Sequence, residues 1–432
     1  MYKRIASCRI CGNQNLVKVL DLGEQALTGR FPLPQEPDPS SGPLELVACM
    51  GDDPAQYCGL LQLSCSYVLS EMYGPTYGYR SSLSQTMVRH LSDIVEESVG
   101  IAQLTVEDAV LDIGCNDGTL LKFYEGLGVQ RTGIDPSSAC FASSFPNDIQ
   151  LIVDFFSAAR VRQVRGDQPF KIVTSIAMFY DLEDPEGFMR EIRSLLAPEG
   201  IWVSEQAYAR SMIENVAFDS VCHEHLNYYN LRQMQWMAQR AGLKVLDVSV
   251  NDINGTSFRI VAARDDSSYV PRQGRLDKLL AAEARFDESQ PLANFSAAVE
   301  ERRVTLRKFL QQARRSGKCS LGYGASTKGN VVLQYCGLTA DDIPAIAEKH
   351  PGKFGHVTPA TRIPIISEAD ARGQRPENFI VFPWHLRDEI VRREERFVEN
   401  GGKLVFPLPR FEVVASHAEQ AMPVSEPLRK IA

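Results

Sequence analysis

The segment DSVCHEHLNYY, residues 219 to 229, holds the densest group of residues able to carry out chemistry. His223 and His225 flank Glu224, in a chain with only seven histidines. An imidazole titrates near neutral pH, so it can take a proton from a weakly acidic carbon and release it, and an adjacent carboxylate can tune it. A buried polar cluster or a His-x-His metal site ahead of the next helix explains the same residues. On its own, the segment leaves catalysis and structure both open.

A second reactive group is the sequence CRICG near the start of the chain. Cys8 and Cys11 have the spacing of a zinc knuckle, and the glycine that follows them permits a tight turn. Cys49 and Cys58 supply a second pair, with Cys65 as an alternative, and Cys58 is also followed by glycine. A redox motif of the same spacing usually follows a strand at the head of a helix. Here the motif lies near the start of the chain in a region rich in glycine and proline, which disfavours a redox role. We predict one structural zinc ion held by Cys8, Cys11, Cys49 and Cys58.

The elements that must position these groups include a strand, a glycine-rich turn and a helix in AVLDIGCNDGTLLKFYEGLG, from residue 109. The turn lacks the GxGxxG pattern that a dinucleotide pyrophosphate requires. Its acidic start and its asparagine suit a ligand with a cationic centre and no phosphate, so we predict S-adenosylmethionine. An aspartate after the second strand is placed to bind ribose hydroxyls. The candidate cofactor-binding residues are Asp112, Gly114, Asn116, Gly118, Asp135, Pro136, and, flanking the adenine, Asp154 and Phe155.

A similar strand, turn and helix occur in SLGYGASTKGNVVLQYC, from residue 320. Backbone donors in this turn can bind phosphate oxygens beside Lys328, and a purely structural turn is the alternative. Residues 266 to 315 have the composition of a charged helical connector. A tyrosine-rich loop upstream contains Tyr77 and Tyr79, which line a pocket or pack on their own domain.

Composition limits the class of protein. A chain of 432 residues is expected to form two or three domains, and its formal net charge of −8 makes nucleic acid a poor partner. No apolar run reaches the length of a membrane span, and the amino terminus lacks an apolar signal-peptide core. We therefore expect a cytoplasmic protein whose ten cysteines are reduced.

The motifs together resemble those of the sugar C-methyltransferase family, which acts on nucleotide-linked 4-keto-deoxysugars. The resemblance covers nearly the whole chain. It implies an α/β fold with a small zinc-binding amino-terminal domain (residues 1–72) and a central Rossmann-like methyltransferase domain (73–265). A helical connector (266–315) and a carboxy-terminal α/β Rossmann-like domain that binds the nucleotide sugar (316–415) follow. The matching stretches are CRICG, CGLLQL, YGYRSS, VLDIGCNDGTLL, HEHLNYY, NGTSFR, LGYGASTKGN, PGKFG, RIPII and PWHLRDEI.

The resemblance also implies roles for single residues. His225 is similar to the family's base and Glu224 to its neighbour, while Tyr77 and Tyr79 are similar to tyrosines that close over the sugar. Two positions depart from the family: Cys222 stands where a tyrosine is usual, and Asp181 where a histidine is usual. His223 completes the catalytic candidates, and the candidate substrate-binding residues are Asn254, Arg259, Tyr323, Ser326, Lys328 and Asn330.

The expected reaction removes a proton beside the sugar ketone and methylates that carbon, C-3, from S-adenosylmethionine. His225 would take the proton, and hydrogen-bond donors would stabilise the enolate. Alternatives are an O-methyltransferase or epimerase of the same architecture, or a non-catalytic sensor of nucleotide sugar or cofactor. The expected partner is a nucleotide-linked ketosugar, with no nucleic acid and no membrane, in a monomer or homodimer.

Overall fold

The computed structural model describes residues 2–51, 57–73, 79–284 and 289–416. The chain divides into two compact units. The first consists of residues 1–30, 40–214 and 220–296, and the second of residues 31–39, 215–219 and 297–432. Among the residues described, no helix combines the length and the apolar character needed to cross a bilayer.

The first unit contains thirteen strands and eight helices in its described part, and a ninth helix continues into the second unit. The strands are β1 (Tyr2–Arg4), β2 (Leu16–Ala26), β3 (Ser41–Cys49), β4 (Leu61–Leu63), β5 (Cys65–Tyr67), β6 (Ala109–Ile113), β7 (Gln130–Ile134), β8 (Ile149–Ile152), β9 (Phe170–Ile176), β10 (Leu196–Ala207), β11 (Asn227–Tyr228), β12 (Leu243–Asn251) and β13 (Ser257–Arg264). The helices are α1 (Leu69–Met72), α2 (Gln85–Ala102), α3 (Thr119–Lys122), α4 (Ala158–Arg165), α5 (Pro185–Leu195), α6 (Ala209–Glu214), α7 (Leu231–Arg240), α8 (Gln273–Ala284) and α9 (Ser289–Arg315).

The largest sheet of the first unit has the strand order β12-β13-β10-β9-β6-β7-β8. Strands β6 to β10 are parallel, whereas β13 and β12 are antiparallel to their neighbours. The chain runs outward from β6 through β7 and β8 and then returns to β9 on the other side of β6. The order therefore reverses between β6 and β9, which is where open α/β sheets bind ligands at the carboxyl ends of their strands.

Local sequence explains why these elements form. All five side chains of β6 are buried, as expected for a central parallel strand. Ser84 begins α2 by accepting a hydrogen bond from the Met87 amide, and Asp184 caps α5, which has proline at its first position. Such local signals set where each helix starts, and burial of the apolar faces between helices and sheet then stabilises the layers.

A smaller four-stranded sheet in the same unit has the order β11-β4-β3-β2, and β1 pairs separately with β5. Its strand β11 comes from far along the chain, immediately after the HEHL sequence. Asn227 is opposite Gln62 and Tyr228 is opposite Leu61 in the antiparallel register. The segment with the candidate base is therefore held in the sheet of the amino-terminal region.

The second unit contains a six-stranded sheet in the order β16-β15-β14-β17-β18-β19. All pairs are parallel except β18 with β19, and the order reverses between β14 and β17. This sheet and the larger sheet confirm the predicted α/β class. The elements are β14 (Ser320–Tyr323), α10 (Thr327–Tyr335), β15 (Ile346–Glu348), β16 (Ile365–Ser367), α11 (Glu368–Gly373), β17 (Asn378–Val381), α12 (Arg387–Arg393), α13 (Glu395–Glu399), β18 (Lys403–Phe406) and β19 (Glu412–Val414).

Candidate active site

A cavity of about 320 Å³ lies in the first unit, at the carboxyl ends of β6, β7 and β9. Its charged lining residues are all acidic, whereas most of the remaining lining is apolar. An acidic, mostly apolar cavity suits a ligand with a cationic centre, such as the sulfonium of S-adenosylmethionine. Of the residues predicted to bind that cofactor, the cavity is lined by Asp112, Gly114, Asn116, Asp135, Pro136 and Phe155.

Asp135 is fixed at the end of β7 by backbone donors. Its Oδ2 accepts the Asn116 amide at 2.8 Å, and its Oδ1 accepts both the amide and the hydroxyl of Ser137 at 2.6 Å. A carboxylate has about four acceptor sites, of which these hydrogen bonds use three, so one site remains on Oδ2, and the residue lines the cavity. Asp135 can therefore accept a hydrogen bond from a ribose hydroxyl.

Asp112, at the end of β6, is a second acidic residue that lines the cavity. Its Oδ1 accepts a hydrogen bond from the Thr174 hydroxyl at 2.6 Å. Burial raises the pKa of Asp112 to about 7. A bound cation would favour the ionised form of this carboxyl, because opposite charges stabilise each other most strongly where water is excluded.

The asparagine of the turn lines the cavity and also holds a neighbouring segment. The Asn116 side chain donates to the Tyr79 carbonyl at 3.1 Å and accepts the Ser81 amide at 3.1 Å. Asp117 accepts the Ser82 amide at 3.1 Å. The turn thus anchors residues 79–82 beside the cavity, which Tyr79 and Ser81 line. Tyr77 lies outside the described residues.

Two of the predicted cofactor residues are not in the lining. Gly118 has a φ of +73° and precedes α3, where an added Cβ would come within 2.6 Å of the Phe145 ring. Asp154 accepts its neighbour's amide and forms an ion pair with Arg160 at 3.1 Å. Sequence reasoning missed Phe156, Met178 and Glu183, which do line the cavity; only their positions just after strands β8 and β9 could have indicated them.

Asp181 also lines the cavity and has an unusual environment. Its Oδ2 accepts the Tyr73 hydroxyl at 2.7 Å, and its buried Oδ1 has no hydrogen-bond partner among the described residues. Burial raises the pKa of Asp181 well above its usual value, and the nearby Glu224 adds to the shift. This shift favours the protonated form of the carboxyl, which can donate a hydrogen bond.

His225 lies close to this carboxyl in the fold. Its Nδ1 is 3.0 Å from the carbonyl oxygen of Ser220, and its ring packs on Tyr180 with the ring centroids 4.2 Å apart. Tyr180 immediately precedes Asp181. Cys222, three residues before His225, is fully buried, and burial next to Glu224 and Asp181 raises the pKa of its thiol well above normal. The structure thus groups Cys222, Glu224 and Asp181 in one buried cluster.

His223 has a different environment from His225. Its ring is completely buried, meets the Tyr67 ring edge-on at 4.7 Å and lies 3.5 Å from the Thr28 hydroxyl. Burial lowers the pKa of His223 to about 4, so the ring is neutral at neutral pH. Thr28 also donates to the Glu224 carboxyl at 3.5 Å, and burial raises the pKa of that carboxyl. His223 is therefore packed within the protein. Neither His223 nor His225 is among the residues that line the cavity; His225 instead packs on Tyr180, next to the lining residue Asp181.

The four cysteines predicted to bind zinc come together in the structure. The sulfurs of Cys8, Cys11, Cys49 and Cys58 all lie within 4.8 Å of one another, with Cys8 and Cys58 at 3.4 Å. A tetrahedral zinc ion with Zn–S bonds of about 2.3 Å separates its sulfurs by about 3.8 Å, so the donor set fits the metal. The pKa of the Cys49 thiol is lowered to about 3 by hydrogen bonds from Cys58 and Cys8, whereas that of Cys58 is raised. The zinc prediction is confirmed.

The two residues predicted to bind substrate in NGTSFR are not among the cavity lining. Arg259 is buried, and its guanidinium pairs with Glu205 at 3.0 Å and Glu97 at 2.6 Å. Asn254 has a φ of +54° in a short turn, and the following Thr256 has a φ of +101°. A β-branched residue in that region is strained, so this turn is held in shape by its surroundings.

The second unit contains a turn between β14 and α10 with a similar arrangement. The Ala325 amide donates to Glu348 Oε2 at 2.8 Å, and Glu348 Oε1 accepts the amides of Lys349 and His350. Lys353 Nζ donates to the Ala325 carbonyl at 2.8 Å. Glu348 and Lys353 were missed in the sequence, although an acidic residue 24 positions after the turn glycine is a known sign of a nucleoside site.

The predicted substrate residues of this unit differ in exposure. Ser326 caps α10 by accepting the Gly329 amide at 3.0 Å, and Lys328 is half-buried in the first turn of that helix. Asn330 is buried. Tyr323 is also buried, with its hydroxyl donating to Glu394 at 2.8 Å. Ser326 and Lys328 are thus the two of this set that remain partly accessible at the turn.

Comparisons with known families agree with this arrangement. A zinc binding domain matches residues 8–73, a methyltransferase domain matches residues 84–248, and a C-methyltransferase C-terminal domain matches residues 252–409. C-methyltransferase NovU of Streptomyces niveus is 28% identical over 424 residues, which cover 96% of this chain and 98% of NovU. A ubiquinone biosynthesis O-methyltransferase of Chromobacterium violaceum is 26% identical over 173 residues, 37% of this chain and 74% of that protein.

Solved structures with bound cofactor forms are also similar to part of the chain. The 1,6-didemethyltoxoflavin-N1-methyltransferase of Burkholderia thailandensis, solved with S-adenosylhomocysteine, has 15% identity and a TM-score of 0.32, covering 41% of this chain and 78% of that chain. Magnesium protoporphyrin IX methyltransferase of Synechocystis PCC 6803, solved with S-adenosylmethionine, has 13% identity and a TM-score of 0.31, covering 41% and 79%.

The fold and the acidic cavity at its switch point define a methyltransferase that uses S-adenosylmethionine. Its amino-terminal domain is a zinc-binding domain with a four-cysteine cluster. The zinc binding, methyltransferase and C-methyltransferase C-terminal domain matches follow one another along the chain, and the similarity to NovU extends through all three.

Proposed function

We propose that this enzyme methylates the carbon adjacent to the ketone, C-3, of a nucleotide-linked 4-keto-6-deoxysugar, with His225 as the base. The observation that carries the proposal is the contact of His225 Nδ1 with the Ser220 carbonyl at 3.0 Å. A carbonyl oxygen only accepts, so Nδ1 carries a proton in the neutral ring. The lone pair then lies on Nε2, which is the atom that would take the substrate proton.

Asp181 would stabilise the enolate that results. A C–H bond beside a ketone breaks readily only if the developing negative charge on oxygen meets a hydrogen-bond donor. A carboxyl kept neutral by burial can be that donor, and Asp181 lines the cavity with one oxygen lacking a partner among the described residues. The Tyr73 hydroxyl bonds the other oxygen and holds the group in orientation.

The steps balance without a further reactant. His225 takes the proton from the carbon and becomes an imidazolium, and Asp181 donates to the enolate oxygen. S-adenosylmethionine, when bound, would supply the methyl group: the enolate carbon would bond to the methyl carbon as the methyl–sulfur bond breaks, which leaves neutral S-adenosylhomocysteine. The imidazolium then returns its proton to water. The apolar lining would limit the access of water to the enolate.

The turn of the second unit would bind the nucleotide. Lys328 and Lys353 supply positive charge for phosphates, and Glu348 can accept hydrogen bonds from ribose hydroxyls. The similarity to the C-methyltransferase NovU supports carbon as the methyl acceptor.

His225→Asn tests the proposal in assays with S-adenosylmethionine and a panel of TDP-, GDP- and CDP-linked 4-keto-6-deoxysugars. We expect the variant to bind cofactor and sugar but to lose methyl transfer and solvent deuterium exchange beside the ketone, each by roughly a hundred- to ten-thousand-fold. Mass spectrometry of the wild-type product separates carbon methylation from oxygen methylation and epimerisation.

His356→Asn is the matched control, because His356 lies in the second unit, whereas His225, Cys222, Glu224 and Asp181 all belong to the first. It should leave both rates unchanged. His223→Asn should lower stability more than turnover, since His223 packs on Tyr67. Wild-type deuterium exchange in the His225 variant would reject His225 as the base.

A further inference from the structure

Arg9, between the first two cysteines of the zinc cluster, has contacts that zinc binding does not require. Its guanidinium donates to the carbonyls of Leu63 at 2.7 Å and Cys65 at 3.1 Å, and to the Ser66 hydroxyl at 3.0 Å. The backbone amide of Arg9 donates to the Gln62 side chain at 3.1 Å. Arg9 therefore connects the cysteine knuckle to β4 and β5.

The same guanidinium reaches the segment that contains the candidate base. Arg9 lies 3.4 Å from the carbonyl oxygen of Leu226, the residue immediately after His225. That carbonyl also accepts the Leu63 amide at 2.9 Å, next to the pairing of β4 with β11. The Leu226 carbonyl thus has two donors. One is Arg9 in the cysteine knuckle, and the other is Leu63 on β4, the strand that Arg9 also contacts.

The charge of Arg9 is not matched by an ion pair among the residues that the structure describes. Its acceptors are backbone carbonyls and neutral side chains, which a planar fork of five donors can reach together. A zinc ion bound by four thiolates carries a formal net charge of about −2, so a cation beside it is electrostatically favourable. An arginine at this position can therefore stabilise the knuckle and reach the segment around His225 at once.

We propose that Arg9 is a positioning residue that ties the four-cysteine knuckle to the Leu226 carbonyl and thereby holds His225 in the orientation needed for proton transfer. The inference rests on the proposed role of His225. It assigns the zinc-binding domain a part in catalysis in addition to its part in folding. The Nδ1 atom of His225 is held by the Ser220 carbonyl at 3.0 Å, so a shift of the backbone at Leu226 would change the orientation of the ring.

Arg9→Lys tests this proposal in the full-length, zinc-loaded protein. Lysine keeps the charge but cannot donate to Leu63, Cys65 and Leu226 together. We expect one zinc per chain and an unchanged dissociation constant for S-adenosylmethionine, with kcat lowered by about 10- to 100-fold, as for other residues that orient a functional group through hydrogen bonds. KM should change much less, because Arg9 does not line the cavity.

Arg165→Lys is the matched control. Arg165 also donates hydrogen bonds to Gln130 and Thr132, but it lies at the end of α4 and, within the described part of the chain, forms no hydrogen bond with residues 220–228. It should leave kcat unchanged. An Arg9→Lys enzyme with wild-type kcat, or a loss of kcat that only follows loss of zinc, overturns the proposal.

A spectroscopic measurement separates this inference from the proposed function. The ring resonances of His225 in protein labelled with ¹⁵N-histidine, assigned with His225→Asn, should move in Arg9→Lys without any substrate present. Unchanged resonances would overturn the proposal that Arg9 positions His225, whichever substrate the enzyme uses. Moved resonances support it, and deuterium exchange retained in His225→Asn then counts against the proposed function alone.

Gln62→Ala keeps the test decisive if Arg9→Lys does not fold. It removes the acceptor of the Arg9 amide and leaves all four cysteines in place. A fall in kcat with zinc retained supports the proposal, and an unchanged kcat with unmoved His225 resonances overturns it.

Discussion

The turn after β6 and the turn after β14 share a backbone arrangement but differ in charge. Each follows a buried strand with a glycine of positive φ, +74° at Gly114 and +86° at Gly324. In each, a turn amide donates at 2.8 Å to a carboxylate at the end of the second strand, Asp135 or Glu348. The first turn borders a cavity whose charged residues are all acidic, whereas Lys353 bonds the backbone of the second.

Under the proposed function, this difference would let two similar turns bind two different ligands. The strand, glycine and helix supply the same polar backbone groups to both turns. The side chains around each turn then select the charge of the ligand, a cation at the first and, under the proposed function, a phosphate at the second. Variants that affect one turn and not the other test this division directly.

The largest expected effect is at the first turn. Asp135→Ala should raise the dissociation constant of S-adenosylmethionine about 100-fold, since a hydrogen bond from a ribose hydroxyl to a charged acceptor is lost. Isothermal calorimetry measures the change, and Glu348→Ala should leave this constant within about twofold. Equal affinity in Asp135→Ala and wild type would show that this carboxylate does not bind the cofactor.

The reciprocal change comes next in size. Glu348→Ala should raise KM for the nucleotide sugar about 30-fold, the size of one hydrogen bond to a charged group. Cofactor affinity should not change. Glu377→Ala is the control, because Glu377 also accepts a backbone amide, that of Cys319, in the same unit. If Glu348→Ala and Glu377→Ala raise KM to the same extent, the change reflects a less stable second unit. Glu348 would then not bind the nucleotide in the way that Asp135 binds the cofactor.

A smaller effect should appear with pH at the first turn only. Because burial raises the pKa of Asp112 to about 7, the carboxyl is neutral below that pH and ionised above it. Affinity for the cationic cofactor should therefore increase between pH 6 and pH 8 by about threefold to fivefold. The limit is about tenfold if cofactor binding lowers the pKa of Asp112 by one unit. Asp112→Asn should bind the cofactor with no such dependence, and a variant that keeps the wild-type profile would assign it to another group.

The smallest effects should distinguish the two glycines. Gly114→Ala and Gly324→Ala each place a side chain at positive φ, which costs about 1–2 kcal/mol of unfolding free energy. Gly324→Ala should cost more, because its Cβ would meet the Pro383 ring at 2.8 Å, whereas Gly114→Ala meets the flexible Met178 side chain at 3.2 Å. Urea denaturation measures both, and the reverse order would mean that the Pro383 loop moves easily.

Much of the architecture could be predicted from local sequence. Strand β6 and the turn after it were evident from an apolar run that ends in glycine, and the zinc cluster from two Cys pairs, one of Cys-x-x-Cys spacing. The cofactor class followed from the acidic turn without a GxGxxG pattern. These features depend on neighbours in the chain, which a sequence records directly.

The candidate site could be predicted only in part. Asp135 and Asp112 do line the cavity, but Asp154 pairs with Arg160 at the surface and Arg259 is held in buried ion pairs. Arg259 faces Glu205 because β13 pairs with β10, and the order of strands in a sheet is not visible in either strand alone.

The chemical groups that are available follow from the sequence: two histidines beside a glutamate, the four cysteines of the cluster and two glycine-rich turns. The different environments of the two histidines follow from the tertiary structure alone. His223 and His225 have the same chemistry and are two residues apart, yet one packs against Tyr67 and the other bonds Ser220 beside the Asp181 cluster. That choice depends on the pairing of β11 with β4, between residues more than 160 positions apart, because side-chain environment follows from long-range strand register.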